Sequence, residues 1–175
     1  MSELIAGATM ERNAYIDGHY RYWLERRWAD GPACLFCMLN PSTADHLKDD
    51  PTIRRCMGFA KAHSCSALWV VNLYAWRSTT PEDVLKAPDP VGPANDDHIA
   101  YYASKAMMII AGWGSLGRWD RAQLVMHLLQ RGGKEGTRAN RQVYCLGRTK
   151  NGMPKHPLYV EGKAVAAPFE MEARA

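Results

Sequence analysis

Asn40-Pro41-Ser42-Thr43 follows directly on the apolar run Leu35–Leu39, and this junction is where the chain is best placed to do chemistry. The run is short, continuous and uncharged, as a strand buried on both faces must be. Proline has no N–H to give to a strand ladder, so the strand ends before Pro41. Asn40 is therefore expected at the carboxyl end of a buried strand, the edge where open α/β sheets take their ligands. A side chain held there can position a water or a substrate group. Equally, Asn-Pro is an ordinary turn start.

Three further apolar runs end in the same way. Ala67–Val71 stops at Asn72, Ala106–Ala111 at Gly112-Trp113-Gly114, and Val143–Leu146 at Gly147, from which a loop leads to His156-Pro157. Helical signals separate the runs. Asp50-Pro51 starts a helix to about Ala62, and Thr80-Pro81 starts a short one. Asn95-Asp96-Asp97 precedes a helix through about Lys105, and residues 118–131 are amphipathic, with Leu124, Val125, Leu128 and Leu129 inward. Upstream, Asp17-Gly18 between aromatic and β-branched residues signals a hairpin over about 13–28.

Strands alternating with helices predict an α/β fold of three α/β/α layers around a central four-stranded parallel sheet, plus the N-terminal β-hairpin. One domain is expected over residues 1–175, with its core at about 33–160 and a frayed tail at about 162–175. In such a sheet the four exits share one edge, and their convergence marks a candidate site.

Composition narrows the setting. No segment reaches the roughly 18 consecutive apolar residues of a membrane helix, and no basic region precedes an apolar stretch near residue 1. A cytoplasmic protein with no membrane partner is expected. The net charge of +4 is compatible with a polyanionic partner. The five cysteines, Cys34, Cys37, Cys56, Cys65 and Cys145, are expected as buried thiols. Cys34 and Cys37 lie three apart on a strand and so point to opposite faces, which does not suit one shared metal. The six histidines show no ligand spacing with one another; His46 beside Asp45, Asp49 and Asp50 reads as a solvated turn. No metal site and no cofactor are expected.

Tyr20-Arg21-Tyr22, Met38 to Asp45, Asp49 to Arg55, Val71-Asn72-Leu73 and Lys155 to Tyr159 together resemble the bacterial and phage family known as domain of unknown function 1643. That family's name carries no activity. A more distant resemblance does: the order of loops is similar to the uracil-DNA glycosylase superfamily. Leu39-Asn40-Pro41 resembles its first-strand loop, Val70-Val71-Asn72 its base-reading strand end, Trp113-Gly114-Ser115 its third strand end and His156-Pro157 its last loop. Asn40 stands where the fastest branch has an acidic residue, which implies water positioning rather than proton abstraction. Leu158-Tyr159 replaces the usual Ser-Pro, and a basic insert from Gly132 to Arg141 precedes the last strand.

The resemblance implies a DNA glycosylase-like enzyme that hydrolyses the N-glycosidic bond of a flipped base, modified or unmodified, in DNA. Asn40 would hold the water, His156 would donate to the departing base, and Asp45 would supply a nearby base or else cap a turn. Asn72 would read a base edge, with Pro41, Ser42, Thr43, Tyr74 and Trp113 lining the substrate. Tyr74, Trp76 and Trp119 are candidates for stacking on a base. Arg54, Arg55, Arg77, Arg148, Lys150 and Lys155, with Lys134, Arg138 and Arg141, would follow a nucleic-acid backbone if clustered beside His156. If dispersed, they favour a hydrolase or transferase of free nucleosides or nucleotides. A non-catalytic binder of nucleic acid or modified bases is the third reading.

Overall fold

Asp17-Gly18 does turn the chain: β1 (Glu11–Asp17) and β2 (Tyr20–Arg27) pair antiparallel around it. Gly18 takes a φ of +56°, the left-handed conformation that glycine adopts without a side-chain clash. The computed structural model describes residues 9–131 and 140–174. Within them the buried runs become β3 (Ala33–Met38), β4 (Ala67–Asn72), β5 (Met108–Ala111) and β6 (Tyr144–Cys145). The pairings of β3 with β4, β3 with β5 and β5 with β6 are all parallel.

The sheet nevertheless differs from the one expected. It is a mixed sheet of seven strands in the order β1-β2-β4-β3-β5-β6-β7, where β7 is Ala167–Pro168. The hairpin is not an appendage: β2 pairs antiparallel with β4, Leu24 opposite Val70. Unpaired N–H and C=O groups on an outer strand invite pairing, and here the hairpin and β7 supply it. The tail therefore does not fray where expected. β7 pairs with β6, the Phe169 N–H donates to the Val143 carbonyl at 2.8 Å, and the buried Phe169 ring meets Trp113 edge-on at 5.9 Å.

Strand alternation sets the layers. Cys34, Phe36 and Met38 pack on one face with Ile53, Cys56 and Phe59 of α1 (Pro51–Ala62). Leu35, Cys37 and Leu39 pack on the other with Ile99 and Ala103 of α3 (Asn95–Lys105) and Val125 and Leu129 of α4 (Trp119–Arg131). A short α2 (Pro81–Val84) lies between β4 and α3. Asp50 caps α1 as expected, its Oδ1 accepting the Ile53 N–H at 2.8 Å, whereas Thr80 makes no side-chain cap bond to α2. In α4, Ala122 and Met126 turn inward and Leu124 is exposed, against the sequence reading. All five cysteines are buried and free, Cys34 and Cys37 on opposite faces; burial pushes the Cys37 thiol up to about 12, which leaves it unreactive. None of the described helices is long and apolar enough to cross a membrane.

Two arginines of β2 face inward and hold the loop that follows β3. Arg21 donates from Nη1 to the Ala44 carbonyl at 2.6 Å. Arg26, wholly buried, bonds Asp49 Oδ1 at 2.7 Å and the Lys48 carbonyl at 2.9 Å, and also the Asp45 carbonyl. Burial works against the Asp49 carboxylate, but the guanidiniums of Arg26 and Arg12 outweigh it and keep its pKa below the ordinary value. Removing one partner of a buried pair strands the groups left behind, typically at a cost of about 3–5 kcal/mol. Urea unfolding of Arg26→Ala is expected to show a loss of that order. Arg26→Lys is expected to stay well below the parent, because one ammonium cannot reach all three acceptors. An Arg26→Ala midpoint equal to the parent's would refute the clamp.

Candidate functional site

Parallel pairing brings the ends of β3, β4 and β5 to one edge, and a cavity of about 570 Å³ opens there. Met38, Leu39, Asn40 and Ser42 come to it from the end of β3, Trp113 and Gly114 from the end of β5, and Lys155 and His156 from the loop after β6. The Trp113 indole, almost wholly buried, forms an apolar wall. Gly112 leaves little room for a side chain: a Cβ there would lie 3.0 Å from Pro157 Cδ, so the turn would have to shift by a few tenths of an ångström. Glycine thus eases the close approach of β5 to the His156-Pro157 turn.

Asn40 is locked. Its Nδ2 donates to the carbonyls of Pro41 and Ser78, both at 2.9 Å. Two acceptors face that end of the amide, so the oxygen cannot occupy it. Oδ1 is left as the free acceptor of a side chain on the cavity wall.

His156 is oriented from the opposite side. Its Nδ1 accepts the Leu158 N–H at 3.2 Å, capping the 3-10 turn Pro157–Tyr159. A ring that accepts at Nδ1 carries its proton on Nε2, so the neutral imidazole keeps a donor. Burial lowers the pKa of this ring below the ordinary histidine value, and the Asp50 carboxylate opposes that shift.

Asp50 was expected only as a helix cap, yet it is a carboxylate of the cavity wall. Arg21, absent from the sequence reading of the site, lines the same cavity, and its buried Nε has no hydrogen-bond partner among the described residues. Burial lowers Arg21 to about 10; Asp50 and Asp45 push the value up, Arg77 and Arg26 push it further down. The alternation of β2 does not account for it: the alternate buried positions are Tyr22, Leu24 and Arg26, and Arg21 is buried out of that phase. Glu82 of α2 also lines the cavity, and nothing in its local sequence marks it.

The residues singled out from sequence divide. Asn40, Ser42, Trp113, Lys155 and His156 meet in the cavity. Asn72 does not: it is fully buried, still paired with Met38, and its side-chain oxygen and nitrogen have no partner among the described residues. The chain after β4 stays buried through Leu73, Tyr74 and Ala75, so the exit comes later than the Asn72 signal implied. Tyr74 presents no stacking face, being buried with its hydroxyl accepting the Arg118 N–H at 3.4 Å. Trp76 stacks on His19 at 4.6 Å, and Trp119 lies under Arg174 at 4.3 Å.

Asp45 is a turn cap, not a base at Asn40: its Oδ1 accepts the Leu47 and Lys48 N–H groups at 2.7 and 2.8 Å, bonds that lower its pKa. Pro41 is buried, and its carbonyl serves Asn40 and Ser78. Thr43 and Arg77 line a second recess beside the cavity.

The cations do not form one row. Arg55 donates to the carbonyls of Pro157 and Val160, bracing the histidine turn from α1. Arg148 donates to the Glu170 carbonyl at 3.0 Å and lies over Phe169. Arg141 holds the Ala103 and Ala106 carbonyls near the end of α3. Arg54 and Lys150 are exposed. Lys134 and Arg138 lie outside the described residues.

The model of a family described as protein of unknown function, DUF1643, matches residues 21–158. No curated protein and no solved structure matches the chain.

A titration of the His156 ring by NMR is expected to give a midpoint below the ordinary value of about 6.5. Asp50→Asn, which keeps the helix cap, is expected to move it further down. The folded state favours the neutral ring, so its contribution to stability is intact above about pH 6.5. It declines as the pH falls toward the lowered folded value, where protonation also removes the Nδ1 acceptor. A midpoint above the ordinary value would contradict this assignment.

Proposed function

The match over residues 21–158 places this chain in the DUF1643 family, which brings no activity with it, and from the site itself we propose a DNA glycosylase-like hydrolase of the N-glycosidic bond. The observation that carries this reading is that Asn40 Oδ1 and the neutral His156 share one cavity of about 570 Å³ walled by Trp113. A cavity of that size suits one base and its sugar. The chain order of the loops, Asn40-Pro41, then Trp113-Gly114-Ser115, then His156-Pro157, supports a glycosylase-like reading of the fold.

The chemistry is one displacement. Asn40 Oδ1 holds a water against C1′ of the sugar. The C1′–N bond breaks, the electron pair leaves with the base, and the water oxygen bonds to C1′. His156 Nε2–H donates to the anion forming on the base, where a neutral donor is better matched than one that hands over its proton early. Asp50, rather than Asp45, takes the water's proton and offsets positive charge on the sugar; of the two carboxylates on the cavity wall, Asp50 and Glu82, it is the one whose charge acts on His156. The extruded nucleotide is unstacked at a cost that is least for a damaged or mispaired base.

A second reading has its own support. Arg55 and Arg148 are engaged by main-chain carbonyls, which favours a free nucleoside or nucleotide over a long polyanion. Mass spectrometry of released base separates the two, with modified and unmodified DNA, nucleotides and nucleosides offered in parallel. Release from at least one class is expected, and His156→Ala is expected to lower it by about a hundredfold or more. Asn40→Ala is expected to do at least as much. Asn40→Asp is expected to lose both activity and stability, because a carboxylate would face the Pro41 and Ser78 carbonyls. No release from any class, or variants equal to the parent, would end the proposal.

A further inference from the structure

Beside the main cavity, and sharing Ser42, Ser78 and Thr79 with it, lies a second recess of about 500 Å³. Its wall carries two cations, Lys48 and Arg77, together with the hydroxyls of Ser42, Thr43 and Thr79, while the Ser78 hydroxyl is spent on the Thr80 carbonyl at 2.9 Å. Asp45 is the carboxylate on this wall, and its Oδ1 is already taken by two backbone N–H groups.

Arg77 is the telling member. Its backbone is fixed, with the N–H donating to the His19 carbonyl at 2.9 Å. Its Nε is buried with no hydrogen-bond partner among the described residues. Among the described residues its guanidinium forms no ion pair, although Asp45 is near enough to feel its charge. Buried donors in folded proteins are almost always paired, and among the described residues no side-chain hydrogen bond holds this guanidinium behind the recess wall, so it is free to take an anion that enters the recess. Arg21, across the shared wall, has the same unpaired buried Nε, and the two guanidiniums repel each other. An anion at this wall pairs with the Arg77 guanidinium and relieves the repulsion. Guanidinium, ammonium and several hydroxyls on one small concavity match the oxygens of a phosphate group.

We propose that this recess is a phosphate subsite, holding the phosphate ester of the nucleotide unit whose base enters the main cavity across the Ser42, Ser78 and Thr79 wall. The identity of the ester rests on the nucleotide reading above; the anion chemistry rests on the recess alone.

Calorimetric titration of the full chain tests it, with a deoxynucleoside, its 5′-monophosphate, inorganic phosphate and a short single-stranded oligonucleotide as probes. The monophosphate is expected to bind at least about tenfold more tightly than the nucleoside, with inorganic phosphate competing. Arg77→Met is expected to remove most of that preference. Lys48→Gln, at an exposed position that leaves folding intact, is expected to weaken it several-fold. An oligonucleotide whose binding depends on Arg77 assigns the site to a strand's diester; dependence confined to the monophosphate assigns it to a free nucleotide. Equal affinity for nucleoside and monophosphate, a preference that survives both substitutions, or no binding of any phosphorylated probe would overturn the subsite. Phosphate binding through Arg77 without base release in any assay leaves the subsite standing and removes the hydrolase. Base release indifferent to phosphate and to Arg77→Met does the reverse.

Discussion

Everything at the candidate site depends on two guanidinium groups buried beneath the loop that follows β3. Arg21 and Arg26 bring positive charge into the interior, where an uncompensated ion is prohibitive. They are tolerated because that loop turns its Ala44, Asp45 and Lys48 carbonyls, and the Asp49 carboxylate, toward them. Neither partner is stable buried without the other, so the loop is held against β2. Asn40 lies at the start of that loop and Asp50 at its end.

The same constraint explains why the hairpin belongs to the sheet. The arginines stand on β2, and β2 reaches the loop only because it pairs with β4. Its alternation sends Tyr22, Leu24 and Arg26 to buried positions, and Arg21 is buried beside them. Edge protection and support of the site are thus one device.

At the cavity, orientation matters more than charge. Both ends of the Asn40 amide are settled by two carbonyls, and the tautomer of His156 by one backbone N–H. Each polar side chain presents a single atom to the space between them, at a fixed place before any substrate arrives. Such preorganisation makes a donor or acceptor effective where charge develops. Arg55 adds to it by tying α1 to the turn that carries His156.

Much of this was legible in the residues themselves. The end of β3 at Asn40-Pro41, the Asp17-Gly18 turn, the Asp50-Pro51 helix start and the opposite facing of Cys34 and Cys37 all follow from local rules. Proline lacks a donor, glycine accepts a positive φ, and strands alternate with a period of two. The order of the parallel runs also brought Asn40, Trp113 and His156 to one edge.

What the local pattern could not decide is which polar residues find partners inside the protein. Asn72 and Asn40 both follow apolar runs, yet one is sealed within the sheet and the other faces the cavity. Asp45 and Asp50 are both carboxylates in turns, yet backbone amides engage the first, while the second reaches the cavity wall as well as capping α1. Phe169 pins a tail whose sequence reads as loose, because its partner Trp113 is distant in sequence and close in space. Local conformation is set by steric and hydrogen-bonding preferences of neighbouring residues, which a sequence displays. The pairing of a buried charge or amide is set by whatever distant group the packed chain brings within about 3 Å, and only the tertiary structure supplies that.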